Sequence, residues 1–213
     1  MRLAKLGHAC VRLETDQGVL VIDPGAYTEP TALDGADALL ITHEHADHFA
    51  PQRVLAAVEA NPGLRIWTNR SVAQQLDGVG GRVTAVGDGD TFSVLGLDVE
   101  VHGELHAVIH PDIPRIANVG FLLDGRLFHP GDALTLPGRP VDVLMAPVYA
   151  PWSRVCEVID YIRAVAAPRT YAMHDAGLSD IGRTVVDGLL GERGPGVGSD
   201  YARLAPTDRV ELT

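Results

Sequence analysis

One short stretch constrains this chain more than any other: His43-Glu44-His45-Ala46-Asp47-His48, directly after the apolar run Ala38-Leu39-Leu40-Ile41-Thr42. A short apolar run leading into polar residues reads as a buried strand. Alternate residues leaving a strand point the same way, so His43 and His45 can share one cation. Asp47 and His48, on the turn that follows, can reach round to a second. Imidazole and carboxylate donors suit zinc, iron or manganese, and no thiolate is needed. The competing reading is a histidine-rich surface loop. A buried strand running into four ligand-type residues weighs against it.

The rest of the chain supplies strands first, then strands alternating with helices. Ala9–Glu14 alternates apolar and polar residues, Asp16-Gln17-Gly18 is a turn signal, and Val19–Ile22 is a buried run ended by Asp23-Pro24-Gly25. Pro51–Ala60 is helical, with proline in the first turn and Asn61-Pro62-Gly63 as the stop. Arg65–Thr68 is a strand, and Asn69 caps a helix through Leu76. Between Arg82 and His102 strands are expected around a hairpin signal, Gly87-Asp88-Gly89-Asp90. Asp124-Gly125 turns between Val119–Leu123 and Arg126–Phe128, and Val141–Ala146 is a further strand. Val155, Ile159, Ile162 and Ala166 line one late helix. Leu178, Ile181, Val185 and Leu189 line the apolar face expected of another, with the strand Thr170–Met173 between them. Gly191–Gly198 reads as a surface loop, with a last strand possible after it. Two sheets covered by helices, in one domain over residues 1–213, is the architecture these patterns predict.

Composition sets the class. Apolar residues make up 46% of the 213 and charged residues 21%, which excludes a disordered chain. A formal net charge of −11 argues against a general grip on nucleic acid or an anionic membrane. Cys10 and Cys156 form neither a metal-type nor a disulfide-type spacing, which fits a reducing cytosol. The opening residues read as a strand rather than a signal peptide, and no apolar run is long enough to span a bilayer. A cytoplasmic protein acting on a small molecule is the expectation. Its oligomeric state is not legible.

The motif His43-x-His45-x-Asp47-His48 after a strand resembles the signature of the metallo-β-lactamase-fold hydrolases. The resemblance implies an α+β fold: a four-layer αβ/βα sandwich of two mixed sheets with outer helices and a metal site along one edge. It also implies a further histidine, a bridging aspartate and a last histidine, each after a strand. His106, Asp132 and His174 fill those places in order. By carry-over, His43, His45 and His106 hold one ion, Asp47, His48 and His174 hold the second, and Asp132 bridges them. His102 and His110 compete with His106, which is preferred because it follows a strand end as the other ligands do. His129 reads as a packing histidine, or one that supports a ligand from behind, rather than a ligand. Leu6-Gly7-His8-Ala9 with Val21-Ile22-Asp23-Pro24 resembles the opening of a compact, lactonase-like branch. There Asp23 would orient a ligand histidine or simply end its strand, and His8 would line the site mouth or simply end a strand.

The chemistry implied is hydrolysis. Water held by two divalent ions loses its proton near neutral pH, and the hydroxide attacks a carbonyl or phosphoryl centre. Asp47 is the residue placed to orient that hydroxide or carry its proton. Zinc is the first expectation for the two ions, with manganese or iron as alternatives. A thiolate-bridged β-lactamase would carry cysteine at position 132, and the nuclease, glyoxalase and flavin-fused branches need extra chain. What remains is a small-molecule ester, lactone or phosphodiester hydrolase. Iron-dependent redox chemistry, or metal binding without catalysis, stays open. For the pocket, His110–Arg115 offers one wall, with Arg115 as an anion clamp or a solvated charge. Tyr149 and Trp152 offer another wall, or core packing.

Overall fold

A computed structural model describes residues 1–212. Six early strands form most of one sheet: β1 (Arg2–Lys5), β2 (Val11–Thr15), β3 (Gly18–Ile22), β4 (Ala38–Ile41), β5 (Arg65–Thr68) and β6 (Val83–Ala85). The first three are antiparallel and β3 to β6 are parallel. Helices α1 (Pro51–Ala60) and α2 (Arg70–Gln75) supply crossovers, and Asn69 caps α2 by accepting from the backbone N–H groups of Ser71 and Val72.

The second sheet repeats the plan. Strands β7 (Thr91–Val94), β8 (Leu97–His102), β9 (Gly120–Leu123) and β10 (Leu127–His129) are antiparallel. Then β11 (Val143–Pro147), β12 (Arg169–Met173) and β13 (Asp200–Ala202) add on in parallel, connected through α3 (Val155–Val165) and α4 (Asp180–Leu190). A last strand, β14 (Val210–Glu211), returns to pair with β1, giving two mixed sheets of seven strands each.

Alternation along β4 shows how the layers are made. Ala38 and Leu40 face the inter-sheet core with Leu13, Ile22, Phe121 and Met145. Leu39 and Ile41 face outward onto Val54 and Val58 of α1 and Val72 of α2. On the other sheet, Leu144 and Ala172 meet Val158 and Ile162 of α3 and Val186 and Leu190 of α4. The result is the four-layer αβ/βα sandwich expected, and no helix is long and apolar enough to cross a membrane among the described residues.

Two local expectations are corrected. Gly87–Asp90 does not turn a hairpin; it carries the chain from β6 in one sheet to β7 in the other. The hairpin turn is Leu95-Gly96, with φ of +51° and +75°, a type I′ geometry that leucine rarely adopts and sequence therefore hides. Asp124-Gly125 adopts the same geometry where it was expected, at +52° and +61°. The second correction concerns α4. Its apolar stripe Ile181, Val185 and Leu189 is exposed, at 79%, 54% and 37%, while Val186 and Leu190 one step round make the contact with the sheet.

Candidate metal centre

Polar side chains gather where strands of both sheets end. His43 and His45 leave β4, and one tight turn brings Asp47 and His48 back, closed by His48 N–H and Phe49 N–H donating to the His45 carbonyl. His106 follows β8, Asp132 follows β10, and His174 follows β12 directly. Ligand-type atoms of His43, His45, His106 and Asp132 lie within 4.8 Å of one another, and so do those of His8, Asp47, His48 and His174. Asp132 reaches both groups. Its Oδ1 is 3.1 Å from His48 Nε2, and its Oδ2 is 2.9 Å from His174 Nε2 and 3.3 Å from His106 Nε2. All seven side chains singled out in the sequence are therefore brought together.

Hydrogen bonds on the far side of each ring decide which nitrogen is free. His106 Nδ1 donates to the Ala107 carbonyl at 2.7 Å and His174 Nδ1 to the Tyr149 carbonyl at 2.6 Å. His48 Nδ1 donates to Asp23 Oδ2 at 2.7 Å. The Thr42 hydroxyl spends its proton on Asp23 Oδ2 at 2.7 Å, so it accepts from His43 Nδ1 at 2.9 Å. Each of these four rings, with its proton on Nδ1, presents an Nε2 lone pair to the centre. The buried Nε2 atoms of His43, His48 and His106 and Oδ1 of Asp132 have no hydrogen-bond partner. Buried polar atoms go unpaired rarely, and a convergent set of imidazole lone pairs with a carboxylate is what a divalent transition-metal ion requires. The residues fit such ions.

Electrostatics agree. Burial pushes the imidazoles of His43 and His45 below their ordinary range, which keeps them neutral and able to coordinate. Burial opposes a charge on His48 too, but Asp132 and Asp23 on either side outweigh it and raise the ring well above the usual histidine range. This spot demands a positive charge. A proton or a metal cation can supply it. Burial also works against ionised Asp47, yet the hydrogen bond from His8 and the neighbouring His48 and His174 bring its carboxyl down to about 2.

Comparison with known proteins identifies the family. The sequence pattern described as a beta-lactamase superfamily domain matches residues 2–174. The chain belongs to the beta-lactamase superfamily. Protein Rv0786c of Mycobacterium tuberculosis is 39% identical over 198 residues, covering 90% of this chain and 92% of its own. A UPF0173 metal-dependent hydrolase of Methanosphaerula palustris is 32% identical over 140 residues, covering 62% and 60% respectively. Among solved structures, a candidate metal-dependent hydrolase from Parabacteroides distasonis superposes with a TM-score of 0.74 at 25% identity, covering 95% of this chain and 91% of that one.

The remaining candidates sort by contact. His110 is exposed in its loop beside Asp112, and His102 packs edge-on against Phe128; neither reaches the centre. His129 is buried, with Nε2 donating to the Ala9 carbonyl at 2.9 Å. Arg115 donates from Nε to the His106 carbonyl at 2.7 Å, which ties its loop to the centre. Trp152 is half-buried, and its indole N–H donates to Asp132 Oδ2 at 3.2 Å.

His8 was expected at the mouth or as a plain strand end. It is buried instead, and its Nδ1 accepts from the Ala176 N–H at 3.1 Å, which leaves its proton on Nε2, donating to Asp47 Oδ2 at 3.1 Å. It has the opposite tautomer from the four rings above, so it holds Asp47 rather than offering a lone pair. His8, Asp23 and His174 all have positive φ, of +35°, +50° and +56°. Backbone strain of this kind collects at functional sites. Sequence reading also missed Thr42 and Asn118. Asn118 accepts from the Asp132 N–H at 3.0 Å and donates to the Pro130 carbonyl at 3.0 Å, so it fixes the Asp132 loop. Glu44 turns away to α2, accepting from Ser71 and Gln75, and so fixes the path out of β4.

Proposed function

We propose that this chain is a dinuclear metal-dependent hydrolase of small-molecule esters, lactones or phosphodiesters. The observation that carries the reading is the Asp132 carboxylate, in reach of His106 on one side and of His48 and His174 on the other. On this reading His43, His45 and His106 hold one divalent ion, Asp47, His48 and His174 hold the other, and Asp132 joins the two. Such ions supply Lewis acidity and lower the pKa of water to about 7. Zinc fits the donors best, with manganese or iron as alternatives.

The chain's own residues do the rest. Asp47, with Oδ2 held by the His8 Nε2–H, keeps its other oxygen to accept a hydrogen bond from the attacking water and aim it at the carbonyl or phosphoryl centre. Thr42, Asp23 and the Ala107 and Tyr149 carbonyls hold the imidazoles in the coordinating tautomer throughout the cycle. Trp152 caps Asp132 and limits water on that side.

Metal analysis of protein purified without added metal, followed by ester and phosphodiester turnover and oxygen uptake, tests this. The expected result is up to two ions per chain and hydrolysis without oxygen consumption. Oxygen uptake with no hydrolysis would replace this reading with iron redox chemistry, and absence of both activities would leave a binding module. A finer test separates the histidines. His106→Ala is expected to cut metal content towards one ion and to lower turnover on the order of a hundredfold, while His110→Ala and His102→Ala keep their metal. Metal lost in His110→Ala and retained in His106→Ala would refute the ligand set.

A further inference from the structure

Beside His45 and His106 the loop between β8 and β9 encloses a slot of about 100 Å³, whose other walls are Ala107, Ile109, Ile113, Pro114, Ile116 and Arg115, the last tied back to the His106 carbonyl. Three isoleucines and a proline fall within eight residues of this loop, and Ile113 stays 47% exposed. That leaves apolar surface in water next to the atoms that would hold the metals, a cost that a binding site explains. The loop is also built to keep its shape. His106 N–H donates to the Ile116 carbonyl at 3.0 Å, Ala107 N–H to the Asp132 carbonyl at 2.8 Å, and Leu105 bridges Ala117. Arg115 closes the turn through the His106 carbonyl at 2.7 Å. The larger cavity behind His8, about 460 Å³, offers a weaker case: Lys5 and Arg203 on its wall are already paired with Asp175, and the His8 ring separates it from the metal-binding atoms.

The geometry points to a specificity site for a short alkyl arm of the substrate, seated between the ligand imidazoles and the isoleucine loop. This rests on the metal-hydrolase reading above and narrows its substrate class to esters or lactones that carry such an arm. The volume sets the length. An apolar cavity of about 150 Å³ takes a benzene ring, so the smaller slot takes an arm of about three or four carbons. Burying each methylene strengthens binding about fourfold.

The test uses the metal-loaded chain and straight-chain alkyl hydroxamic acids, from acetohydroxamic to octanohydroxamic acid, with dissociation constants measured by calorimetry. Hydroxamates bind metal without being turned over, so the readout is independent of catalysis. Affinity is expected to rise about fourfold per methylene for the first three or four carbons beyond acetohydroxamate and then level off. Ile113→Asn should flatten that rise to under about 1.5-fold per methylene. Ile109→Trp, which fills the slot, should make the longer acids bind more weakly than the shorter ones. Metal content of each variant is measured alongside. A flat series in the unaltered chain, or an unchanged slope in both variants, would overturn the slot while leaving the hydrolase reading intact. A chain that binds no metal at all would overturn both.

Discussion

Asp132→Asn is expected to lower ester or phosphodiester turnover on the order of a hundredfold or more. It should leave the fold nearly unchanged, because asparagine keeps the shape and still fits against Asn118 and Trp152. The loss is electrostatic. In the unaltered chain the carboxylate stands against His48, His106 and His174 at 2.9–3.3 Å, and although burial opposes its charge, these neighbours hold it ionised well below the usual carboxylate range. An amide offers one neutral acceptor and one donor there. Two cations sharing the site would then repel with one negative charge fewer between them, so the ion with fewer imidazoles to hold it, two against three, should go first. On the proposed ligand set that is the one shared by half-buried Asp47, His48 and His174. Metal titration monitored by calorimetry should show the second equivalent weakened more than the first, and excess metal should restore part of the activity. Unchanged metal content together with unchanged turnover would make Asp132 a bystander and end the two-metal mechanism.

What could be read in advance from the residues was whatever depends on local pattern. The strand before His43, the helix from Pro51, the Asn69 cap and the type I′ turn at Asp124-Gly125 each follow from rules acting within a few residues, and each is present. The α4 stripe shows where such rules stop. Ile181, Val185 and Leu189 have helical spacing, yet Val186 and Leu190 have it too, and only the position of the sheet decides which stripe is covered. The site divides the same way. Histidines and aspartates at strand ends announce themselves by chemistry, but Thr42 and Asn118 are ordinary polar residues whose roles arise from contacts 19 and 14 residues away in sequence. His8 carried a signal that was only half used. A histidine following glycine at a strand end marks a strained turn, and its partner Asp47 lies 39 residues on, which no local rule connects.

Asp23→Asn should disable a ligand in each half of the centre without touching a metal-binding atom. Asp23 is fully buried and accepts three hydrogen bonds: Thr42 N–H at 2.8 Å on Oδ1, and the Thr42 hydroxyl at 2.7 Å with His48 Nδ1–H at 2.7 Å on Oδ2. Asparagine can keep the first through its carbonyl oxygen. Its NH₂ then replaces Oδ2, where both neighbours need an acceptor. The pairing is restored only if those neighbours accept instead. His48 would have to receive at Nδ1 and carry its proton on Nε2, which removes the lone pair aimed at the centre. The Thr42 hydroxyl, now accepting from the amide, would turn its proton towards His43 Nδ1 and reverse that tautomer as well. One exchange of oxygen for nitrogen thus reverses two imidazoles, one in each ligand group. Tautomer reversal by a neutral substitution behind a catalytic histidine can cost about 10⁴-fold in rate, and loss of such a supporting contact commonly costs about 10- to 100-fold in metal affinity. Both ions should therefore bind at least tenfold more weakly in Asp23→Asn, measured by competition with a chelator. The nitrogen-15 chemical shifts of His43 in the metal-free protein should move to the Nε2–H pattern. If His43 keeps the Nδ1–H pattern and both affinities stay unchanged, the Asp23–Thr42 relay does not set the tautomers, and the site is held by packing alone.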